Sequence, residues 1–162
     1  MIRKSHASDA PFVAAIYNHY VTSSIVTFEL EPVTDDEMRN RMDAIAINYP
    51  YLVYEEDGVV LGYAYATQWK ARQAYQHSVE SSVYLHHDAI GKGIGSMLYA
   101  MLLDKFKEMS IHAVIGGISL PNEASIALHE KFGFEKIGQF KQVGRKFNRW
   151  IDVGYWELIL SK

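Results

Sequence analysis

Apolar residues recur along this chain at two spacings, and the switches between them outline its elements. Ile2 to His6 reads as a short strand. Ser8 is placed to cap a helix running to about Val21, with Phe12, Ile16 and Tyr20 on one face. Thr34 and Glu37 have the spacing of a capping box, which predicts a second helix ending near Asn48, ahead of Pro50. Tyr51 to Glu55 and Val59 to Gln68 read as strands joined at Asp57-Gly58, a hairpin signal. Val79 to Leu85 is a further strand. From Gly93 to Met109, residues Ile94, Met97, Leu98, Met101, Leu102 and Phe106 fall at helical spacing. Ala113 to Ile118 reads as a strand, Asn122 to Phe132 as a helix closed by Gly133, and Gln139–Val143 and Val153–Leu160 as two last strands. This order predicts an α+β fold in one domain, residues 1–162, with a twisted, mostly antiparallel sheet flanked by helices.

Composition narrows the function classes. The 162 residues suit a single core, and a net charge of −3 gives no nucleic-acid footprint. No apolar run approaches the ~20 residues of a membrane helix. The basic start, Met1 to His6, leads into Asp9 and Pro11 and does not read as a signal peptide. Without cysteine there is no disulfide, no zinc-thiolate site and no thiol nucleophile; the expected compartment is the cytoplasm.

The segment Ile90-Gly91-Lys92-Gly93-Ile94-Gly95 lies between a predicted strand and a predicted helix. Glycines let backbone N–H groups converge, the helix adds its positive N-terminal end, and Lys92 adds charge, so the loop can cradle a phosphate. It lacks the lysine-serine/threonine ending of a Walker loop, and Ser96 stands where a dinucleotide fingerprint needs glycine. A tight strand-to-helix turn is the plain alternative.

The strand, the x-x-Gly-x-Gly loop and the helix together resemble the central motif of the GCN5-related N-acetyltransferases (GNAT). Ile90 stands where that family usually has Arg or Gln. Asn122 and Ala127-Leu128-His129-Glu130-Lys131-Phe132-Gly133-Phe134 are similar to the family's second motif, with Ser125 replacing an alanine and His129 a tyrosine. Tyr17-Asn18-His19-Tyr20, Thr27-Phe28-Glu29, Trp69 to Tyr75, Glu80 to Tyr84, Leu120-Pro121-Asn122 and Trp150 to Trp156 resemble the phosphinothricin and methionine sulfoximine acetyltransferases within it. The resemblance implies the GNAT fold, acetyl-CoA as co-substrate with no metal, and a small amino acid analogue as acceptor. It also implies a homodimer, and a cofactor site of Val83, Tyr84, Leu85, Gly91, Lys92, Gly93, Ile94, Gly95, Ser96 and Asn122.

Amine attack on a thioester needs a proton acceptor and care of the leaving thiolate. Strand alternation puts Glu80, Ser82 and Tyr84 on one face, and the resemblance implies that Glu80 is the base, directly or through water; a structural salt bridge is the competing reading. His129 stands where relatives carry a tyrosine serving the thiolate, and an imidazole can give or take a proton near neutrality; a helix-surface histidine is the alternative. Arg72 offers a guanidinium fork for a carboxylate or phosphinate, with Lys70, Tyr75 and Tyr84 beside it and Phe28 as a wall; otherwise Lys70 and Arg72 form a solvated loop. Trp150, Tyr155 and Trp156 suit a core or a dimer interface. His86-His87-Asp88 could suggest a metal, but three adjacent loop residues chelate poorly. With no cysteine, direct attack in a ternary complex is expected. A different amine acceptor, or a non-catalytic acetyl-CoA-binding module, are the other readings.

Overall fold

The computed structural model describes residues 1–160. Seven strands form one sheet in the order β1-β2-β3-β4-β5-β7-β6. They are β1 (Ile2–Lys4), β2 (Tyr51–Glu56), β3 (Val59–Gln68), β4 (Ser78–Leu85), β5 (Ala113–Ser119), β6 (Glu135–Lys146) and β7 (Arg149–Ile159). The helices are α1 (Ala10–Ser23), α2 (Asp35–Ala46), α3 (Ile94–Glu108) and α4 (Glu123–Lys131). The predicted α+β class and antiparallel bias hold, with β4 and β5 as the parallel pair.

That parallel pair is short. Ser78, Val79 and Glu80 pair with Ala113, Val114 and Ile115, although β4 runs on to Leu85 and β5 to Ser119. Beyond Glu80 the two strands part. Each still pairs on its outer side, β4 with β3 and β5 with β7. The sheet therefore stays continuous yet opens a gap in its middle.

Each face of the sheet has its own core. On one, α1 and α2 pack Val13, Ile16, Tyr17, Val21, Met38 and Met42 against Tyr51, Val53 and Tyr63. On the other, α3 packs Leu98, Tyr99, Leu102 and Phe106 against Ala64, Ala66, Val79 and Val114. Full burial of side chains of this size contributes about 1.5–3 kcal/mol each. Alternation along β4 decides which face each residue serves: Tyr84 meets Tyr17 of α1 at 5.5 Å, whereas Ser81 hydrogen-bonds the Tyr99 hydroxyl of α3.

Several local expectations change. The first helix is capped not by Ser8 but through a 3₁₀ turn at Ala7–Asp9, where the Asp9 carboxylate accepts from the His6 N–H at 2.7 Å. Phe12 points outward, because Val13, Ile16 and Tyr17 form the buried stripe. Met97 and Met101 are likewise exposed; Leu98 and Leu102 take the core. Thr34 does cap α2, accepting from the Glu37 N–H at 3.1 Å, and that helix closes at Ala46 rather than Asn48. Asp57 (φ 51°) and Gly58 (φ 78°) make the expected hairpin turn. The last two strands are much longer than their hydrophobic pattern suggests, since Glu135–Lys146 is mostly solvent-facing edge strand, and a turn at Phe147 and Asn148 with positive φ joins it to β7. Trp156 is core, and Trp150 is exposed.

Candidate active site

The gap between β4 and β5 leads into a cavity of about 450 Å³. Its walls are the end of β4 (Val83, Tyr84, Leu85), the glycine loop (Ile90, Gly91, Gly93, Gly95, Ser96), one side of α4 with its cap (Asn122, Ser125, Leu128, Lys131) and Tyr20 of α1. Because β5 has turned away, the β5-facing side of Ser81–Leu85 keeps backbone groups unpaired by any strand. An extended, amide-bearing ligand chain can lie there as a strand would.

The loop is built for an anion. Gly91 (φ 82°) and Gly93 (φ 80°) occupy the left-handed region, and Gly93 is the cap of the fifteen-residue helix α3. No atom stands within 4 Å of where a Cβ would sit on either, so glycine is required there by backbone angle rather than by space. The first-turn N–H groups of α3 open toward the cavity with the positive end of the helix behind them. Lys131 reaches across from α4 and donates to Ser96 Oγ at 3.0 Å, which places a cation on the rim. Lys131 escapes a reading of the loop alone, because α4 brings it in from 35 residues away. Asn122 caps α4, accepting from the Ser125 N–H at 3.1 Å.

Eight of the ten residues expected around the cofactor line this cavity. The exceptions are Ile94, whose side chain is buried in the core, and Lys92, which is exposed and does not line it.

Glu80 sits where β4 and β5 part, half-buried, with its carboxylate facing Gly117 and Tyr155. Burial raises its pKa above the usual carboxylate value, and the charge of Lys70 partly opposes this. The Lys70 ammonium lies 4.7 Å from the Trp69 ring centre, and Trp69 meets Tyr155 edge-on at 5.7 Å. Lys70, Trp69, Tyr155 and Glu80 thus form one continuous rim. Arg72 and Tyr75 lie farther along the β3–β4 connection, both exposed; among the described residues the Arg72 guanidinium has no ion pair. Phe28 stands on the α1–α2 loop against Gly144. Tyr84 serves both groups, lining the cavity while its ring packs with Tyr17, Tyr20 and Tyr63.

His129 is not a surface histidine. It is buried between Tyr99 and Phe134, whose ring centres lie 5.2 and 5.0 Å away. Its Nδ1 lies 2.7 Å from the Ser125 carbonyl oxygen. A carbonyl only accepts, so Nδ1 carries the proton and Nε2 keeps a lone pair in the neutral ring. Burial lowers its pKa, and the Ser125 carbonyl partly offsets this.

The loop residues His86, His87 and Asp88 bring one ligand atom each within 4.8 Å of one another, closer than their adjacency suggested. His86 and His87 stack at 4.2 Å, and His19 of α1 stacks on His87 at 4.8 Å.

An anion cradle, a slot for an extended chain and a half-buried carboxylate at the slot's end are what acyl transfer from a CoA thioester requires, and comparison with known proteins agrees. Residues 2–154 match the family described as an acetyltransferase (GNAT) domain. The chain belongs to the GNAT acetyltransferases. Among curated relatives, the phosphinothricin N-acetyltransferase of Streptomyces viridochromogenes is 42% identical over 96% of this chain and 85% of its own. The L-methionine sulfoximine/L-methionine sulfone acetyltransferase of Salmonella typhimurium is 36% identical over 99% of this chain and 95% of its own. Among solved structures, the GNAT phosphinothricin acetyltransferase of Sinorhizobium meliloti in complex with acetyl-CoA superposes with a TM-score of 0.95 at 37% identity, covering 99% of this chain and 88% of that one. In this GNAT chain the family's two motifs are therefore the two walls of one cavity, the glycine loop on one side and the α4 N-terminus on the other.

Proposed function

We propose that this N-acetyltransferase moves the acetyl group of acetyl-CoA to the α-amine of a small amino acid analogue of the phosphinothricin or methionine sulfoximine type. The observation that carries the reading is the position of Glu80, at the point where β4 and β5 part and beside the charge of Lys70. Acetyl-CoA supplies an activated thioester carbonyl. Gly91, Gly93, Ser96 and Lys131 fit its pyrophosphate, and the free edge of Ser81–Leu85 fits its amide-bearing arm. Glu80 takes one proton from the incoming ammonium, and its raised pKa brings it nearer the working pH than an exposed carboxylate; the amine nitrogen then bonds the acetyl carbon, the C–S bond breaks, and the CoA thiolate leaves with the second amine proton as free thiol. The Arg72 fork takes the acceptor's carboxylate or phosphinate oxygens, and Phe28 and Tyr75 wall the acceptor side. His129 flanks the thioester from the other face of the sheet. In the tautomer fixed by Ser125 its Nε2 accepts a proton and does not donate one.

The reaction also needs no protein nucleophile of the thiol kind, since the chain has no cysteine, and attack is direct. In the same reading the protein is a homodimer that works in the cytoplasm. The β6–β7 hairpin supports the dimer: Ile137, Phe140, Val143, Phe147 and Trp150 are each more than half exposed. No helix of the described residues is long and apolar enough to cross a membrane.

The test is release of free thiol from acetyl-CoA with phosphinothricin, methionine sulfoximine and methionine sulfone as acceptors. Turnover with at least one is expected. Turnover confined to polyamines, aminoglycosides or peptide N-termini, or CoA binding without any turnover, would overturn the reading.

A further inference from the structure

Lys146 is 3% exposed, yet among the described residues it has no carboxylate partner. A buried ammonium is costly unless polar groups surround it. Here the groups are two backbone carbonyls. Lys146 Nζ donates to Thr27 O at 2.8 Å and to Tyr20 O at 3.3 Å. Tyr20 lies in the last turn of α1, where carbonyl groups carry the negative end of the helix dipole, so the lysine acts as a C-terminal cap supplied by a strand 126 residues away. Thr27 lies in the α1–α2 loop and precedes Phe28.

Two residues before Lys146 on the same strand, Gly144 meets that loop again. A methyl group on Gly144 would overlap the Phe28 ring, so this ring occupies the space a side chain would fill. The loop is also tied to α1, by the Tyr17 hydroxyl on Thr27 at 2.8 Å and the Asn18 amide on the Val33 backbone at 2.7 and 2.8 Å, and to α2, by Arg41 on Glu29 at 2.7 Å. β6 therefore touches the loop at two alternate positions of one strand face, once by charge and once by shape.

We propose that Lys146 and Gly144 form a positioning clamp that holds the α1–α2 loop against β6 and so sets how far Phe28 reaches over the acceptor side, which makes β6 a determinant of acceptor size. This rests on the reading of Phe28 as a wall of the acceptor pocket. Tyr20 and Thr27 are held through their carbonyls, so the clamp acts on the backbone of the loop and not on the identity of its side chains.

The experiment compares steady-state kinetics of the full chain carrying Lys146→Met, Gly144→Ala or Phe28→Ala, with acceptors of increasing side-chain length and with CoA affinity measured separately by titration calorimetry. Lys146→Met keeps the apolar stem and removes the donor; it is expected to raise acceptor KM about tenfold, in line with the loss of a charge-assisted hydrogen bond, and to change CoA affinity less than twofold. Gly144→Ala disturbs no buried charge and keeps the test open if Lys146→Met does not fold. It is expected to shift the preference among long and short acceptors, and to have no further effect in a Phe28→Ala background. Equal loss across all acceptors together with an equal fall in CoA affinity would overturn the clamp, as would unchanged acceptor KM in both variants. If Phe28→Ala itself leaves acceptor KM unchanged, the pocket reading fails; if it raises KM while the two β6 variants do not, only the clamp fails.

Discussion

Glu80 and His129 meet β5 at consecutive glycines from opposite faces of the sheet. A Cβ on Gly117 would lie 3.2 Å from Glu80 Oε1, and a Cβ on Gly116 would lie 2.5 Å from His129 Nε2. Successive Cβ positions on a strand point to opposite sides, so the two groups cannot share one face. In the proposed reaction they share a ligand because β4 and β5 part here, with the thioester in the plane of the sheet, one group above it and one below. Gly116→Ala tests this. The imidazole is buried and tied to Ser125, so it has little room to yield. The variant should lose about 1–3 kcal/mol of stability, as overpacked cores do, and kcat should fall with acetyl-CoA still bound. Chemical denaturation and single-turnover rates decide it; an alanine accepted without change in either would show that the ring moves freely.

Glu80→Gln should lower kcat by about 10²–10⁴-fold, the usual contribution of a positioned base, while CoA affinity stays within twofold. The pH dependence has a definite sign. Burial raises the Glu80 pKa, so the acidic limb of kcat/KM should lie above the 4.5 of an ordinary glutamate, with activity rising as pH rises through it. Lys70 opposes that shift, so Lys70→Met should move the limb to higher pH. A limb that does not move in Lys70→Met would assign it to another group.

Much of this site is legible along the chain, and what is not has a physical cause. The glycine loop, Asn122 and Glu80 lie within short segments whose spacing carries their geometry; the loop and Asn122 line the cavity, and Glu80 stands where β4 and β5 part. Lys131, Tyr20 and Lys146 do not announce themselves, because each reaches its place through tertiary packing over 35 to 126 residues. The burial of His129 is not legible in the chain, because a helix of nine residues shows too little periodicity to tell its buried face. β6 is underestimated because an edge strand open to water needs no alternation of apolar residues.

Arg72→Ala should raise KM selectively for acceptors that carry a carboxylate or phosphinate. Losing hydrogen bonds to a charged group costs about 1.5–3 kcal/mol, which corresponds to roughly 10- to 150-fold in KM by the usual conversion. Acceptors whose acid group is amidated should lose far less. Measuring both series on one enzyme preparation separates anchoring from damage to the loop, and equal losses in the two series would remove Arg72 from recognition.

The Arg3–Asp9 pair should contribute to acid stability. Asp9 is buried and Arg3 grips it at 2.9 Å through both terminal nitrogens, while the His6 N–H donates to it at 2.7 Å. Burial alone would raise its pKa, but the hydrogen bonds from Arg3 and His6 outweigh this and hold it below 3.8. A depressed carboxylate contributes its stability above the unfolded pKa and loses it as pH falls through the folded one. Asp9→Asn should therefore flatten the fall in Tm below about pH 4. Arg3→Met, which leaves a buried charge unpaired, should lower stability at pH 7 by about 3–5 kcal/mol. An unchanged acid transition in Asp9→Asn would place the acid lability elsewhere.

Gly93 and Gly95 stand two residues apart in the cofactor loop, and substitution should separate their roles. Gly93 holds φ at 80° with empty space around it, so alanine there meets no neighbour but must enter the left-handed region. That conformation costs about 1–2 kcal/mol for an L-residue, so the loop would relax and turn its N–H groups away from the anion, weakening CoA binding by roughly 5- to 30-fold. Gly93→Asn should be milder, because asparagine tolerates this region. Gly95 lies in the first turn of α3, where a Cβ would make an ordinary 3.5 Å contact with Leu85. Gly95→Ala should therefore raise thermal stability slightly through helix propensity, while its methyl narrows the cavity it lines. Calorimetric titration with CoA, paired with thermal melts of the free protein, distinguishes the cases. Weaker binding with Tm lowered is expected for Gly93→Ala, and weaker binding with Tm maintained or raised for Gly95→Ala; the same pattern in both would mean that the backbone angle at Gly93 does not shape the cradle.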